Sequence, residues 1–466
     1  MIKRYTASAD TTITNAYKAN LTSRGVSGNM GESDILEIFS IYGQVTTSSL
    51  ELSRVLINFP ISDIEQDRTS GIIPAQNSCS FYLRMFNAKH GQTLPTNYYL
   101  NVNPVSASWN EGHGLDMEDY SDIDYASWNN RVSGSAWTNP GGDFYSSPEI
   151  SQYFEKGTED LEVDITEIVE SQINNSLPRA GFMVKLSSSA ENDIRSYYTK
   201  RFFARGTQYF FQRPLIEVRW NDSKKDNRGN FYASSSLASS TDNTMNLFFY
   251  NYIDGQLKNI PVIGTGSIYL QCFTSGSGGT SVTNIITGSW VQSGTYYASF
   301  SCSTTASYIY DRWFSNALAT TCIYTGSAIT VIQRNPNEWN PEEKYTTKII
   351  NLKPYYSRQE NACFRVFTRN KNWTPNVYVV YNSTIRPTII EDGYWSIKRV
   401  EDDISIVDFG TGSIQYTKMS YDISGSYFDF DIKNLESGYT YQINFAYYIN
   451  NKYEIQTENF KFKVTE

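Results

Sequence analysis

Histidine and cysteine, which often carry metal or nucleophilic chemistry, are scarce in this sequence. Of 466 residues only two are histidine, His90 and His113, and the cysteines form no CxxC pair. This distribution argues against a His-ligated metal and a Ser-His-Asp arrangement, and it favours buried, reduced thiols over a disulfide framework or a zinc site. We therefore expect no enzyme activity and no cofactor. The cysteines are Cys79, Cys272, Cys302, Cys322 and Cys363.

Charge and long apolar runs are also in short supply. Charged residues make up 19% of the chain, the formal net charge is −9, and no cluster of Lys and Arg is denser than the one at 222–226. A nucleic-acid partner is therefore not expected. No window approaches about 18 uninterrupted apolar residues, and the N-terminus lacks the apolar core of a signal peptide. We expect no membrane insertion, and we expect the protein to be made and assembled in the cytoplasm.

Tyrosine is abundant instead, with 36 residues, and aromatic residues make up 15% of the chain. Several stretches alternate apolar and polar residues with the period of two that is typical of half-buried strands. The clearest is 216–220, in which Glu217 and Arg219 form the polar face. Pro214 precedes it, and a proline is tolerated where a strand begins. The pattern predicts the closing strand of a large N-terminal β-domain.

Polar and proline-marked stretches predict where domains end. We expect breaks near 222–229 and 335–341, which give three domains at 1–221, 230–334 and 342–466. One short helix is expected at 164–173, because its apolar residues share one helical face. Those residues are Ile165, Ile168, Val169 and Ile173.

The first domain carries short motifs in a fixed order. They are Ala9-Asp10-Thr11, Asn29-Met30-Gly31, Arg54 to Phe59, Trp109-Asn110-Glu111, Asp164-Ile165-Thr166, Gly181-Phe182 and Arg213-Pro214-Leu215. In this order they resemble the DNRLRE-type jelly-roll module. The resemblance departs at 201–205, where the family more often has Ser-Arg-Glu. It implies a binding or structural module of the kind found in secreted bacterial proteins and phage virions, some of which bind carbohydrate.

The rest of the chain is typical of serial immunoglobulin-like units. Short strands alternate with turns rich in Ser, Thr and Gly from 232 to 332. Near the C-terminus, the spacing of Leu435, Gly438 and Tyr441 resembles the tyrosine corner of fibronectin type III and related sandwiches. The expected fold class is all-β: an N-terminal jelly-roll β-sandwich with one short helix, followed by two immunoglobulin-like β-sandwiches. Tyr441, Leu435 and Gly438 should have structural roles.

Two groups of residues are candidates for ligand binding. An acidic loop offers oxygen ligands to calcium, although it lacks the glycine and the terminal glutamate of an EF-hand loop, which favours a plain acidic loop. Three tryptophans offer flat faces to a glycan, although Trp109 occupies a framework position, which favours packing. The loop residues are Asp116, Glu118, Asp119, Asp122 and Asp124, and the tryptophans are Trp109, Trp128 and Trp137.

Two function classes follow. The opening residues 9–20 resemble virion proteins of contractile-tailed marine phages, which implies a non-enzymatic structural protein of a tailed bacteriophage. Such a protein would build or decorate the neck, tail or baseplate, would be localised in the virion, and would contact other virion proteins and copies of itself. The alternative is a carbohydrate-binding adhesin whose partner is a host-surface glycan.

Overall fold

The computed structural model of the chain describes residues 1–43, 49–91, 94–121, 125–337, 343–373 and 387–466. Of these residues, 44% lie in strands and 7% in helices, so the prediction of an all-β protein is confirmed. The chain divides into two compact units, Met1–Asn221 and Asp222–Glu466.

The first unit contains fifteen strands and three short α-helices among its described residues. The elements are β1 (Ile2–Thr6), β2 (Ala9–Thr14), β3 (Gly28–Asn29), β4 (Ile35–Gly43), β5 (Ser49–Asn58), α1 (Ile61–Thr69), β6 (Ser80–Met85), β7 (Tyr98–Pro104), β8 (Asp116–Ser121), β9 (Asn130–Val132), β10 (Ser135–Ala136), β11 (Ile150–Phe154), β12 (Leu161–Asp164), α2 (Thr166–Ile173), β13 (Phe182–Leu186), α3 (Ser188–Glu191), β14 (Tyr197–Phe203) and β15 (Leu215–Arg219).

Two sheets of the first unit enclose one core and form the N-terminal sandwich. The smaller sheet has the order β1-β15-β6-β12, and the larger has the order β11-β7-β13-β5-β4-β14 with β2 also paired to β5. Fully buried residues of both sheets belong to the same cluster, for example Ile216 and Leu83 from one sheet and Val55 and Leu100 from the other. Burial of these apolar faces is the main source of stability for such a sandwich.

Two details of this unit differ from the sequence predictions. Helix α2 is the predicted helix, but α1, in which only Ile61 and Ile64 are buried, was not predicted. The closing strand β15 was expected to be half-exposed. It lies between β1 and β6, and all five of its residues are buried, including Glu217 and Arg219. Charge pairing, described below, allows this burial.

The second unit contains the remaining strands of the described chain. They are β16 (Phe231–Tyr232), β17 (Met245–Tyr250), β18 (Tyr252–Ile253), β19 (Gln256–Leu257), β20 (Ile268–Phe273), β21 (Ile286–Gln292), β22 (Thr295–Phe300), β23 (Tyr308–Phe314), β24 (Cys322–Thr325), β25 (Ile329–Ile332), β26 (Tyr345–Ile349), β27 (Tyr355–Ser357), β28 (Asn361–Asn370), β29 (Gly393–Arg399), β30 (Ser405–Val407), β31 (Ser420–Asp422), β32 (Gly425–Asp431), β33 (Thr440–Ile449), β34 (Lys452–Ile455) and β35 (Phe460–Thr465).

Residues 231–332 form what we call the middle sandwich. Its strands have the order β16-β25-β23-β20-β21-β22-β17, with β24 on the side of β23. Strands β17 and β23 are separated by three others in this order, yet the rings of Phe249 and Trp313 have centroids 5.7 Å apart. Neighbouring strands lie about 4.8 Å apart. The sheet therefore folds back on itself around a single core.

Residues 345–465 form the C-terminal sandwich. One sheet has the order β26-β28-β32-β31, and the other has the order β27-β35-β33-β29-β30 with β34 on β33. Aromatic rings join the two sheets: Trp395 stacks on Phe428 at 4.7 Å, and Phe364 lies 5.9 Å from Phe462. The predicted second break, at 335–341, falls partly outside the described residues. That the middle and C-terminal sandwiches are separate domains stays a prediction.

Candidate functional site

Three motif residues from distant parts of the first unit, Asp10, Asn29 and Glu111, converge with Arg205 in a group that we call the framework network. The Arg205 guanidinium binds both carboxylate oxygens of Glu111 through Nε and Nη2. The Arg205 backbone N–H donates to Asp10 Oδ2 at 2.7 Å, and the Asp10 N–H donates to Glu111 Oε1 at 2.7 Å. The network ties β2 to the loop before β8 and to the segment after β14.

Asn29 uses its full hydrogen-bonding capacity within this network. Its amide nitrogen donates to the carbonyls of Glu111 and Ala126 at 2.8 and 2.9 Å. Its amide oxygen accepts from the N–H groups of Gly31 and Gly114 at 3.1 and 2.8 Å. A Cβ at Gly114 would lie 2.0 Å from the Asn29 carbonyl oxygen, so only glycine fits there. Asn29 thus anchors both ends of the segment 111–126.

The Asp10 carboxyl is the most perturbed group of the network. Burial raises its pKa to about 7, with a further contribution from Glu111 and against the effect of Arg205. Asp10 is 1% exposed, and within the described chain its Oδ1 has no hydrogen-bond partner. A substrate has no access to a carboxyl at this depth. We therefore interpret the framework network as a structural brace.

The three candidate tryptophans lie together, but in a core. Trp128 and Trp137 are buried, and Trp109 is partly buried against the same cluster, which also contains Ile13 and Met183. The Trp109 indole donates to the Ala180 carbonyl at 2.9 Å, and the Trp137 indole donates to the Ser127 carbonyl at 2.9 Å. Burial of Trp128 and Trp137 leaves their ring faces closed to a stacking sugar.

The acidic loop coincides with β8 and the residues after it. Asp116, Glu118 and Asp119 belong to this strand, which pairs with β3. Asp122 and Asp124 lie outside the described residues. In the part of the chain that the structure describes, no three His, Cys, Asp or Glu residues converge as metal ligands. The calcium site stays a hypothesis.

The two histidines have different neighbours. His113 Nδ1 lies 2.6 Å from Glu32 Oε1 at an exposed position. His90 Nε2 lies 3.1 Å from the Thr199 carbonyl oxygen. Neither is placed beside a serine or cysteine nucleophile by the contacts of the described residues.

Three of the five thiols are buried, as expected: Cys79, Cys272 and Cys302. Burial raises the pKa of Cys79 and of Cys302, which keeps both protonated. Cys322 and Cys363 are exposed, so the expectation that all five are buried is wrong. Cys322 lies on β24, a short strand whose four residues are all exposed.

Tyr441 makes the bonds of a tyrosine corner. Its ring is fully buried, and its hydroxyl donates to the Glu436 carbonyl at 2.8 Å and accepts from the Glu436 N–H at 3.0 Å. Leu435 is fully buried beside it, and Gly438 has a φ of 93°, which favours glycine. The phenol therefore closes the turn that precedes β33.

The sequence predicts a polar linker at 222–229. Residues 222–230, which we call the joining segment, are instead packed into the second unit. Towards the C-terminal sandwich, the Lys224 N–H donates to Ser420 Oγ at 2.9 Å, and Asn230 Nδ2 donates to Glu391 Oε1 at 2.8 Å. Towards the middle sandwich, Asn227 Oδ1 accepts from the Asn246 N–H at 2.9 Å. A polar sequence is typical of a solvated linker, but polar groups of the joining segment form hydrogen bonds with both the middle and the C-terminal sandwich.

A buried charge cluster lies where the joining segment meets the middle sandwich. The Arg228 guanidinium binds both oxygens of Asp311 at 2.8 and 2.5 Å, and Asp311 also accepts from the Trp313 indole at 2.7 Å. Asp226 Oδ2 lies 3.7 Å from Arg228 Nε. Burial raises the pKa of Asp226 to about 7, Arg228 opposes the shift, and Asp311 adds to it. Two carboxylates thus share one cation.

Two further buried charges belong to the N-terminal sandwich. Glu217 is bound by Arg4 and Arg219, each at 2.7 Å, and Arg84 lies 3.5 Å away. Burial opposes its ionisation, but the three arginines outweigh burial and lower its pKa to about 2.

Lys200 is fully buried, and burial lowers its pKa to about 8. Its ammonium donates to Asn87 Oδ1 at 2.6 Å and to the carbonyls of Gly157 and Glu159 at 3.0 and 2.7 Å. All three donors are therefore occupied by the protein. No local pattern predicts this buried lysine, because its partners come from two distant loops.

Comparisons with known proteins add little to this picture. No family model matches the chain, and no curated protein matches it. Among solved structures, a marsupial T cell receptor is similar over 51% of this chain and 70% of that chain, at 10% identity and a TM-score of 0.16. The class that the strands and cores define is an all-β protein built from β-sandwiches. None of the helices in the described ranges is long and apolar enough to cross a membrane.

Proposed function

We propose that this protein is a non-enzymatic structural component of a tailed bacteriophage virion, which builds or decorates the neck, tail or baseplate through protein contacts. The observation that carries the proposal is that the side chains with strongly shifted pKa values contact groups that stabilise the fold. Asp10, Lys200, Glu217 and Asp226 have strongly shifted pKa values, and each is buried among partners that brace the fold. Perturbed groups usually mark catalytic sites, but structural ion pairs perturb pKa values as well.

Exposed tyrosine pairs supply contact surface on the strands. Tyr99 and Tyr153 lie 5.1 Å apart on the neighbouring strands β7 and β11, and β11 is an edge strand. Tyr448 and Tyr453 lie 4.9 Å apart on the hairpin of β33 and β34. Tyrosine is enriched at protein interfaces, since its ring offers a large contact area and its hydroxyl a hydrogen bond. These pairs suit contacts with other virion proteins or with copies of the chain.

Mass spectrometry of purified particles tests the proposal. We expect the protein in virions that have been banded and washed in high salt, at a fixed ratio to the other structural proteins. We also expect particles to assemble incompletely when its gene is deleted. Deletion particles that assemble normally but fail to adsorb to cells would instead support the adhesin, and absence from washed virions would overturn the structural role.

A further inference from the structure

A cleft of about 740 Å³ opens within the second unit. The joining segment contributes Lys225 to its lining, the middle sandwich contributes Thr241 and Ser299, and the C-terminal sandwich contributes Glu391 and Tyr421. Small-molecule sites have volumes of roughly 300–1,000 Å³. The cleft therefore has the size of a site for one small ligand.

The walls of this cleft are held in place before any ligand arrives. The Lys224 carbonyl accepts from the Tyr421 N–H at 3.0 Å, and the Asp226 N–H donates to the Tyr421 carbonyl at 3.1 Å. Asn227 Nδ2 donates to the Tyr421 hydroxyl at 3.3 Å. Because the joining segment also bonds to the middle sandwich, binding would cost little reorganisation.

Charge in the cleft is balanced. An ion pair between Lys418 and Asp392 lies at one edge. The remaining charged lining residues are two cations and two anions, Lys225 and Arg334 against Asp242 and Glu391. A ligand with net charge of either sign would meet like charges here, so a neutral ligand fits best.

Among the described residues, one buried donor of the cleft has no hydrogen-bond partner, and one ammonium has no ion pair. In the described part of the chain, Arg334 Nε is buried without a hydrogen-bond partner, and no carboxylate lies within 4.0 Å of the Lys225 ammonium. Burial lowers the pKa of Lys225, with a further contribution from Lys418, and burial raises the pKa of Glu391. Buried donors without partners are rare in native proteins and call for an explanation.

We propose that this cleft binds a short neutral glycan. Sugar hydroxyls both donate and accept, so they can accept from the Lys225 ammonium and Arg334 Nε and donate to Glu391 Oε2. Glu391 Oε1 already accepts from Asn230, and Arg334 Nη2 already donates to the Asp242 carbonyl.

The hydroxyls of Thr241 and Ser299, which also line the cleft, can likewise donate and accept hydrogen bonds. An apolar ligand would leave all of these groups unpaired. This inference goes beyond the structural role proposed above and does not depend on it.

A printed array of neutral di- to tetrasaccharides, with sialylated and sulfated glycans alongside, tests the cleft on the full chain. We expect retention of neutral glycans and an affinity at least about tenfold weaker for Ser299→Trp, whose indole would fill the space. Thr241→Trp would fill the cleft from the loop before β17 and should weaken glycan binding to a similar extent. Ser289→Trp is the matched control, because Ser289 is also exposed, lies on the neighbouring strand β21 and does not line the cleft.

Hydrogen exchange on each variant shows that the second unit is folded before its binding is compared. Neutral-glycan binding that is lost in both cleft variants and kept in the control supports the site. An array that retains no neutral glycan would overturn it. Binding that survives Ser299→Trp and Thr241→Trp, or binding restricted to charged glycans, would overturn it as well.

Discussion

Two buried clusters, one in each unit, hold carboxylates and cations in opposite proportions. In the N-terminal sandwich, one carboxylate, Glu217, lies among three guanidinium groups, and its pKa falls to about 2. In the second unit, Asp226 and Asp311 share the single guanidinium of Arg228, and the pKa of Asp226 rises to about 7. Burial disfavours ionisation in both places. The number of cations per carboxylate decides which way the pKa moves.

The largest effect is expected from Arg228→Met. Removing the guanidinium leaves two buried carboxyl groups without a cation, which should destabilise the second unit by roughly 3–5 kcal/mol. Chemical denaturation followed by hydrogen exchange would show the loss in the second unit only. Arg365→Met is the matched control: Arg365 pairs with Asp422 at a partly exposed position, and its loss should cost less than about 1 kcal/mol. Equal effects of the two substitutions would contradict the comparison.

Glu217→Gln should act on the other unit. It leaves three arginines around a neutral amide and should destabilise the N-terminal sandwich by about 3 kcal/mol. Glu162→Gln removes a partner of Arg84 and Arg219 whose side chain is 40% exposed, and it should cost under about 1 kcal/mol. Urea unfolding of both variants at neutral pH measures the difference. A Glu217→Gln protein as stable as the Glu162→Gln protein would show that the arginine cluster does not depend on its central charge.

The buried carboxyls of Glu217 and Asp226 should respond to pH in opposite directions. The folded pKa of Glu217 lies below its ordinary value of 4.5, so its stabilisation is present above pH 4.5 and is lost as pH falls towards 2. The folded pKa of Asp226 lies above its ordinary value of 3.8, so the second unit loses stability as pH rises from about 4 to about 7. Over that window, a rise of about three in the pKa of Asp226 corresponds to a change of roughly 4 kcal/mol, which Asp226→Asn should abolish. A second unit whose stability is flat or rises over the same window would contradict this account.

The smallest effect is expected at the tyrosine corner. Tyr441→Phe removes two hydrogen bonds to the Glu436 backbone and should destabilise the second unit by about 1 kcal/mol without altering contacts with other proteins. Tyr448→Phe changes an exposed residue and serves as the control in the same denaturation experiment. If the two variants are equally stable, the corner contributes nothing to stability.

Local patterns predicted the elements that depend on neighbouring residues. The alternating residues of 216–220 predicted β15, and the spacing of Leu435, Gly438 and Tyr441 predicted a phenol that bonds to its preceding turn. Helix α1 was not predicted because only two of its residues, Ile61 and Ile64, are buried, so its sequence lacks an apolar stripe. The motifs around Asp10, Asn29 and Glu111 indicated a framework, but their convergence on Arg205 depends on the tertiary fold.

The joining segment shows where a local pattern misleads. Its run of Asp, Lys and Asn is typical of a solvated linker, and hydropathy carries no information on Asp311 or Glu391, which lie about 80 and 160 residues further along the chain. Only the fold reveals that Arg228 pairs with the buried Asp311 and that Asn227 bonds to Tyr421 and Asn246. The burial of Lys200 could not be predicted for the same reason, because its partners lie in other loops of the first unit.

The central structural claim is that the joining segment couples the middle and C-terminal sandwiches into one cooperative unit. Pulse-labelling hydrogen exchange across a urea titration tests it directly, because peptides from β23 and β29 report on the two sandwiches separately. We predict that β23 and β29 lose protection at one urea concentration in the unmodified protein and at two different concentrations in Arg228→Met. Loss of protection at two distinct concentrations in the unmodified protein would contradict it.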